Sequence, residues 1–250
     1  MVKQKIIGFF EKFYLLIILA ILYAPIILLI VYSFSNSSNF NFDNGFSFEA
    51  YISIFKSDKS SDLWSAIANT FIIAGISSVV ATIMGTFASI GIFNLGKRAR
   101  RIVENVNQFP IINSEIVMAV SMMVFFITFA FPEGYLRLII AHIAFCTPYV
   151  VLSVLPKLES MDPNIYEAAL DLGASPAKAL FTVVFPEILP GMLSGFMLSV
   201  TLSLDDYIVT AFTKPEMFNT ISTYVYNAVK VPVHSALPGL RALSTIIFLV

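Results

Sequence analysis

Runs of apolar residues long enough to cross a lipid bilayer dominate the chain and leave few folds open to it. A membrane-spanning helix needs roughly 20 predominantly apolar residues. Candidate runs lie at Phe13–Phe34, Ser65–Phe93, near Pro110–Phe131, Leu138–Leu155, near Glu187–Phe212 and Leu237–Val250. The second is longer than the hydrocarbon core requires, so it tilts or extends beyond the bilayer. The last is too short as it stands and ends in IIFLV with no polar flank, so either its helix is truncated or a longer chain continues it. With 58% hydrophobic and 12% charged residues, the composition lies outside the range of soluble domains on both counts. The expectation is an all-α polytopic membrane protein of about six transmembrane helices, forming one transmembrane domain over residues 1–250. No small-residue cleavage site follows the first run, which therefore reads as an anchor rather than a removed signal peptide.

Basic residues in short loops favour the cytoplasm. Lys3, Lys5 and Lys12 precede the first run, and Lys97, Arg98, Arg100 and Arg101 follow the second, so both places read as cytoplasmic. The Asn36–Asp62 loop carries Asp43, Glu49, Asp58 and Asp62 against Lys56 and Lys59, and the next outward connection has only Glu133 and Arg137. These read as external, giving a multi-pass protein of the cell (inner or plasma) membrane with its N-terminus inside. A net charge of -1 points to no nucleic acid, and the expected surroundings are membrane lipid. The single cysteine, Cys146, cannot form an internal disulfide and says nothing of compartment.

One polar stretch interrupts the apolar pattern, Glu159 to Pro190, reading ESMDPNIYEAALDLGASPAKALFTVVFPEILP. Asp162 followed by Pro163 suits a helix start, Gly173 a helix end, and Ser175-Pro176 a second start. The expectation is a helix, a glycine break and a second helix on the cytoplasmic surface, over about residues 157–187, offered to a partner outside the bilayer.

Ionisable groups within apolar runs cost about 2.5–3.5 kcal/mol each to insert, which makes them functional candidates. Glu115 lies about five residues into the third run, near enough to an interface to snorkel, and reads equally as an interfacial or a pathway group. Asp205 and Asp206 come late in the fifth run; either the helix stops at Leu204 and both are solvated, or it continues. Gly191, Gly195, Ser199 and Ser203 recur every four residues along that run. Such a stripe of small residues permits close helix approach, and Asp206 falls in its middle if the helix continues. His142 and His234 have no second ligand at helical spacing and read as packed or hydrogen-bonded and as exposed, respectively. Asn36-Ser37-Ser38 fits a glycosylation sequon with meaning only in a secretory host. Gly91 to Arg98, GIFNLGKR, nearly fits a phosphate-binding loop, but Arg98 stands where a hydroxyl is needed and no strand precedes it. A helix end with positive-inside charges is the better reading.

The segment EAALDLGASPAKALFTVVFP resembles the EAA loop of permease subunits in binding-protein-dependent ABC importers. Glu167, Ala168, Ala169, Gly173 and Pro186 match its spacing, while Val183 and Phe185 replace an isoleucine and a leucine. The stretches YAPIILLIVYSFSNS, PIINSEIVMAVSM, SLDDYIVTAF and ISTYVYNAVKVPV extend the resemblance over most of the chain and bring it nearest to the spermidine/putrescine permeases of the PotC type. The resemblance implies a type I ABC importer permease fold and a transport subunit rather than an enzyme. It also implies a second permease subunit (PotB-type), a pair of ATPase subunits (PotA-type) that hold ATP and magnesium, and an extracytoplasmic polyamine-binding protein (PotD-type). The EAA residues would dock on the ATPase, with Pro186 as hinge into the fifth span. Glu115, Asp206 and Asp205, with Tyr207 as aromatic partner, are the expected pathway for a polycation. No catalytic or metal residue is expected.

The same scaffold with another small solute remains open, since the EAA loop reports the engine rather than the cargo. An ion-coupled secondary transporter using Asp205, Asp206 and Glu115 as a relay is the reading from another class. A membrane enzyme is disfavoured by the lack of a nucleophile or ligand cluster in sequence.

Overall fold

The computed structural model describes residues 2–35, 37, 45–56, 60–230 and 237–249. His234, Asn36 and Ser38 of the sequon, and Asp43, Asp58 and Lys59 lie outside the described residues. Among those described, the structure is helical, with an isolated antiparallel bridge between Ser35 and Phe46 as its only β pairing.

Four helical stretches are long and apolar enough to cross a membrane. They are Phe13–Ser33 within α1 (Val2–Ser33), Ser61–Phe93 within α3 (Ser60–Phe93), α6 (Tyr135–Ser160), and Pro176–Asp205. A fifth exists if α4 (Lys97–Ile112) and α5 (Glu115–Thr128), bent by 103° at their junction, form one broken span. The third expected run is thus not one helix. Asn113 and Ser114 adopt extended backbone (ψ 153 and 136), which ends α4 and lets α5 start at Glu115.

The fifth expected run also differs. It begins at Pro176 and passes through α8 (Pro176–Ala179), a π-helical turn Leu180–Val184 and α9 (Phe185–Asp205) without a break. Pro186 has no N–H to donate into the preceding turn; the wider π-turn lets the helix absorb that missing bond and continue. Pro186 therefore sits inside a helical rod and is not a hinge between loop and span. After α11 (Ile221–Lys230), the sixth expected run is α12 (Leu237–Leu249), 13 residues as described.

The chain divides into two compact units, residues 1–63 with 224–250, and residues 64–223. In the first, α1, α2 (Glu49–Lys56) and α12 pack together. The Ser33 hydroxyl donates to the Ile30 carbonyl (2.6 Å) and meets the Tyr51 hydroxyl (2.6 Å), while Arg241 donates to the Ser37 carbonyl (3.2 Å).

In the second unit α6 is the central helix, fully burying Leu138, Ala141, Val150 and Val154. Two glycines bring neighbours onto Val150. A Cβ added at Gly85 of α3 would lie 2.6 Å from the Val150 Cβ and 3.2 Å from the Thr147 carbonyl oxygen, and one at Gly195 of α9 would lie 3.2 Å from the Val150 Cα. Gly191 is tighter than Gly195, with the Ser153 carbonyl 2.9 Å from its would-be Cβ. The small-residue stripe is therefore the packing seam of α9 on α6, and Gly191, Gly195, Ser199 and Ser203 are all buried.

Gly85→Ala should destabilise the protein by about 1–3 kcal/mol through overpacking. Gly75→Ala, on the same helix with nothing within 4 Å, should leave stability unchanged or raise it by up to about 1 kcal/mol. Equal thermal midpoints for the two variants in detergent would show that contact with Val150 does not hold the helices.

Candidate functional site

The polar hairpin folds as its punctuation requires. Asp162 caps α7 (Pro163–Asp171), its Oδ1 accepting the backbone N–H of Asn164 at 2.9 Å, and Pro163 opens the helix where no N–H is needed. At the other end Gly173 takes φ +85, a left-handed conformation that favours glycine. The Gly173 N–H bonds to the Leu170 carbonyl (2.8 Å) and the Ala174 N–H to the Ala169 carbonyl (3.1 Å), the two reversed bonds of a Schellman closure. The spacing from Ala169 to Gly173 thus has a backbone cause. Ser175 caps the next helix through the Lys178 N–H (3.3 Å), with Pro176 at its first position.

Glu167, Ala168 and Gly173 are exposed, Ala169 is half-buried, and Leu172 is 89% exposed at the tip. Beneath them Ala179 and Val184 are buried, and Tyr166 and Leu180 pack on the core of the second unit. The hairpin is thereby seated on α6 and α9 with its tip free. Arg100 of α4 pairs with Glu159 at the hairpin's root and with Glu104 (2.6 Å) on its own helix. Gly91, first residue of the near-match to a phosphate loop, lies in the last turns of α3, so a helix precedes that segment.

At the opposite end of α9 a cleft of about 150 Å³ is lined by Glu115, Phe145, Thr201, Leu202, Asp205 and Asp206. The structure therefore brings three of the four expected pathway residues to one place, from α5 and from the end of α9; Tyr207 is half-buried and does not line it. Glu115 does not lie five residues into a continuous helix but is the exposed first residue of α5, because the helix restarts there.

The two aspartates part company. The α9 helix ends at Asp205, which is exposed, whereas Asp206 is 8% exposed although it lies past the helix. Neither expectation, a continuing helix or two solvated acids, describes it. Its carboxylate caps α10 (Ile208–Thr213): Oδ1 accepts the Val209 N–H (3.1 Å), and Oδ2 accepts the Thr210 N–H and hydroxyl, both at 2.8 Å.

His142 completes this group. Its Nδ1 lies 2.8 Å from the Ser203 hydroxyl and its Nε2 3.1 Å from the Thr210 hydroxyl, with Asp206 Oδ2 3.7 Å away. Both Asp206 oxygens already accept backbone N–H groups, so the Thr210 hydroxyl donates to Oδ2. It then accepts from His142 Nε2–H, which leaves Nδ1 to accept from Ser203. The hydrogen bonds run in one direction, Ser203 to His142 to Thr210 to Asp206, and tie α6 to the α9–α10 corner. His142 was isolated only in sequence. The readable signal was a carboxylate just ahead of a new helix start, where side-chain oxygens can accept the first free amides.

His142→Leu would leave the Ser203 and Thr210 hydroxyls buried with a partner missing, at a cost of about 1–2 kcal/mol. His142→Gln, which presents both a donor and an acceptor, should recover part of that loss. Denaturation midpoints of the two variants in detergent check this; a leucine variant as stable as the parent would show that the chain of bonds contributes nothing.

Residues 77–250 match the family model described as "Binding-protein-dependent transport system inner membrane component". The chain is 32% identical over 238 residues to the spermidine/putrescine transport system permease protein PotC of Haemophilus influenzae, covering 95% of this chain and 90% of that protein. It is 34% identical over 231 residues to the PotC protein of Escherichia coli strain K12 (92% and 85% covered). It is 31% identical over 233 residues to that strain's putrescine transport system permease protein PotI (90% and 81%). Its fold is similar to that in the crystal structure of a bacterial ABC transporter involved in import of the acidic polysaccharide alginate, with a TM-score of 0.78, 16% identity, and coverage of 99% of this chain and 94% of that one.

Proposed function

Because the chain belongs to the family of binding-protein-dependent transport system inner membrane components, we propose that it is the PotC-type permease subunit of an ATP-driven importer of polyamines such as spermidine and putrescine. One observation carries the cargo reading: Glu115, Asp205 and Asp206 meet in a cleft whose lining, among the described residues, holds no basic side chain. A polyamine has several positive charges separated by methylenes. Carboxylates set beside Phe145 and Leu202 suit both parts of it, through charge-assisted hydrogen bonds and contact with an aromatic face. The names of the PotC and PotI relatives support the same cargo.

The N-terminus and hairpin face the cytoplasm, as the basic residues before the first span and after the second favour. A second permease subunit of PotB type completes the pathway. A PotD-type binding protein delivers the polyamine from outside, and a PotA-type ATPase pair holds ATP and magnesium. The exposed Glu167, Ala168 and Gly173, with half-buried Ala169, form the surface that docks on the ATPase. Pro186 serves the coupling from within the rod, where the π-turn keeps the helix continuous past it.

That continuity is what transmits the movement. From Pro176 to Asp205 runs one helix of 30 residues, about 45 Å at helical rise, with the hairpin at one end and the acidic cleft at the other. A rigid-body shift of the hairpin on nucleotide-driven closure therefore moves Asp205 and Asp206 relative to Glu115, which belongs to a different helix.

In the assembled transporter, Asp205→Asn and Glu115→Gln should each lower the spermidine uptake rate by roughly ten- to hundredfold, the scale of one charge-assisted hydrogen bond. Wild-type uptake in both variants, inserted and assembled, would remove them from the pathway. Deleting the Glu167–Gly173 turn should abolish uptake while ATP hydrolysis continues and no longer responds to loaded binding protein. Survival of uptake would remove the hairpin from coupling.

A further inference from the structure

The bend between α4 and α5 lies deep in the membrane. Arg100, near the start of α4, pairs with Glu159 at the hairpin end of α6, and the Asn107 amide donates to the Pro148 carbonyl (3.3 Å) midway along α6. Glu115 then shares its cleft with Phe145, and the Phe126 ring of α5 lies under the Arg137 guanidinium near the other end of α6. The broken pair therefore follows α6 from end to end. Phe145 stands about 15 Å from the Tyr135 end of that helix and about 22 Å from the hairpin end at helical rise. A hydrocarbon core of about 30 Å thus encloses Asn113, Ser114 and Glu115.

Backbone at that depth needs partners, because lipid offers none. The Asn113 N–H reaches back to the Phe109 carbonyl (3.0 Å), but among the described residues no backbone hydrogen bond joins α4 to α5, and Ser114 puts no side-chain oxygen on the first amides of α5. Ile112 to Val117 are all exposed. The last carbonyls of α4, the negative end of its dipole, are left beside the exposed Asn113 carboxamide, just ahead of Glu115 in the chain. Non-helical backbone is tolerated inside a bilayer only where protein buries it or where it faces a water-filled space. A protein partner seated on the break would also enclose Glu115 and, across the cleft, Asp205, with no basic side chain among the described lining residues to pair them. A watery path carries no such cost.

We propose that the break is a wall of the translocation path and a second contact station for the cargo. The Asn113 carboxamide oxygen and the terminal carbonyls of α4 accept N–H groups of one ammonium, while Glu115 and Asp205 hold another charge of the same molecule. Uncharged acceptors suit this place, because they orient an ammonium without adding to the grip of the acids, and a path must release what it binds. The cargo half of the inference rests on the polyamine reading; the path half follows from the exposed backbone alone.

The test uses the assembled transporter in lipid vesicles with its binding protein, carrying Asn113→Cys, Ser114→Cys or, as a dry reference on the first span, Leu22→Cys, each in a Cys146→Ser background. Only a hydrated thiol ionises and reacts readily with a water-soluble cationic methanethiosulfonate, so 113 and 114 should react at least about tenfold faster than 22. Spermidine should slow the reaction at 113 severalfold. Reaction at 113 and 114 no faster than at 22 would mean that protein or lipid covers the break, and reaction indifferent to spermidine would mean that cargo does not touch it; either overturns the proposal. Asn113→Leu should raise the KM for spermidine roughly five- to tenfold, the worth of one hydrogen bond to a charged group, with the thermal midpoint unchanged, and Asn113→Asp should not raise it. An unchanged KM in the leucine variant would remove Asn113 from the contact. A parent transporter that takes up no spermidine would sink the polyamine reading, and thiol access at 113 and 114 would still decide whether the break lines the path.

Discussion

Helices in lipid gain no hydrophobic energy by meeting one another, because the tails they leave are as apolar as the side chains they find. Close van der Waals fit has to hold them, and in residues 64–223 that fit is concentrated at Val150. Gly85 on α3 and Gly195 on α9 both lack the carbon that would strike it. The seam continues down α9 through Gly191, where the Ser153 backbone comes as near. With α9 fixed on α6 along this line, Ser203 is carried to His142, and the acidic end of α9 is placed beside α5.

Interruptions of the helices do as much as the helices. The break at Asn113–Ser114 exposes Glu115 at the cleft and bends α4 by 103° against α5. The end of α9 at Asp205 separates two adjacent carboxylates by environment: one faces solvent and the other is held by three hydrogen bonds at the start of α10. The π-turn has the opposite effect. It keeps a proline from interrupting the rod between hairpin and cleft.

The hairpin illustrates local determination. Its caps at Asp162 and Ser175, its proline starts and its closure at Gly173 all involve partners within a few residues, so the chain's own order displays them. The orientation of Pro186 was less legible because a proline at a helix start and a proline behind a π-turn look alike in sequence. The third run misled for a related reason: apolar continuity across Asn113 and Ser114 hid two extended residues that only backbone geometry separates.

The sequence by itself determined that this is a helical membrane protein, where the first helix of its polar hairpin starts and closes, and which acids were worth watching. Each follows from the length of apolar runs, from capping chemistry or from the cost of charge in lipid, all properties of a residue and its near neighbours. Only the tertiary structure decided that Asp206 is buried while Asp205 is not, that Glu115 joins them in one cleft, and that α4 and α5 follow α6 as a broken pair. It also decided that His142, 61 and 68 positions from its partners, is bonded on both ring nitrogens. Those outcomes depend on which helix faces come together. That is set by steric fit at a few glycines summed over whole helices, and no local pattern of residues contains it.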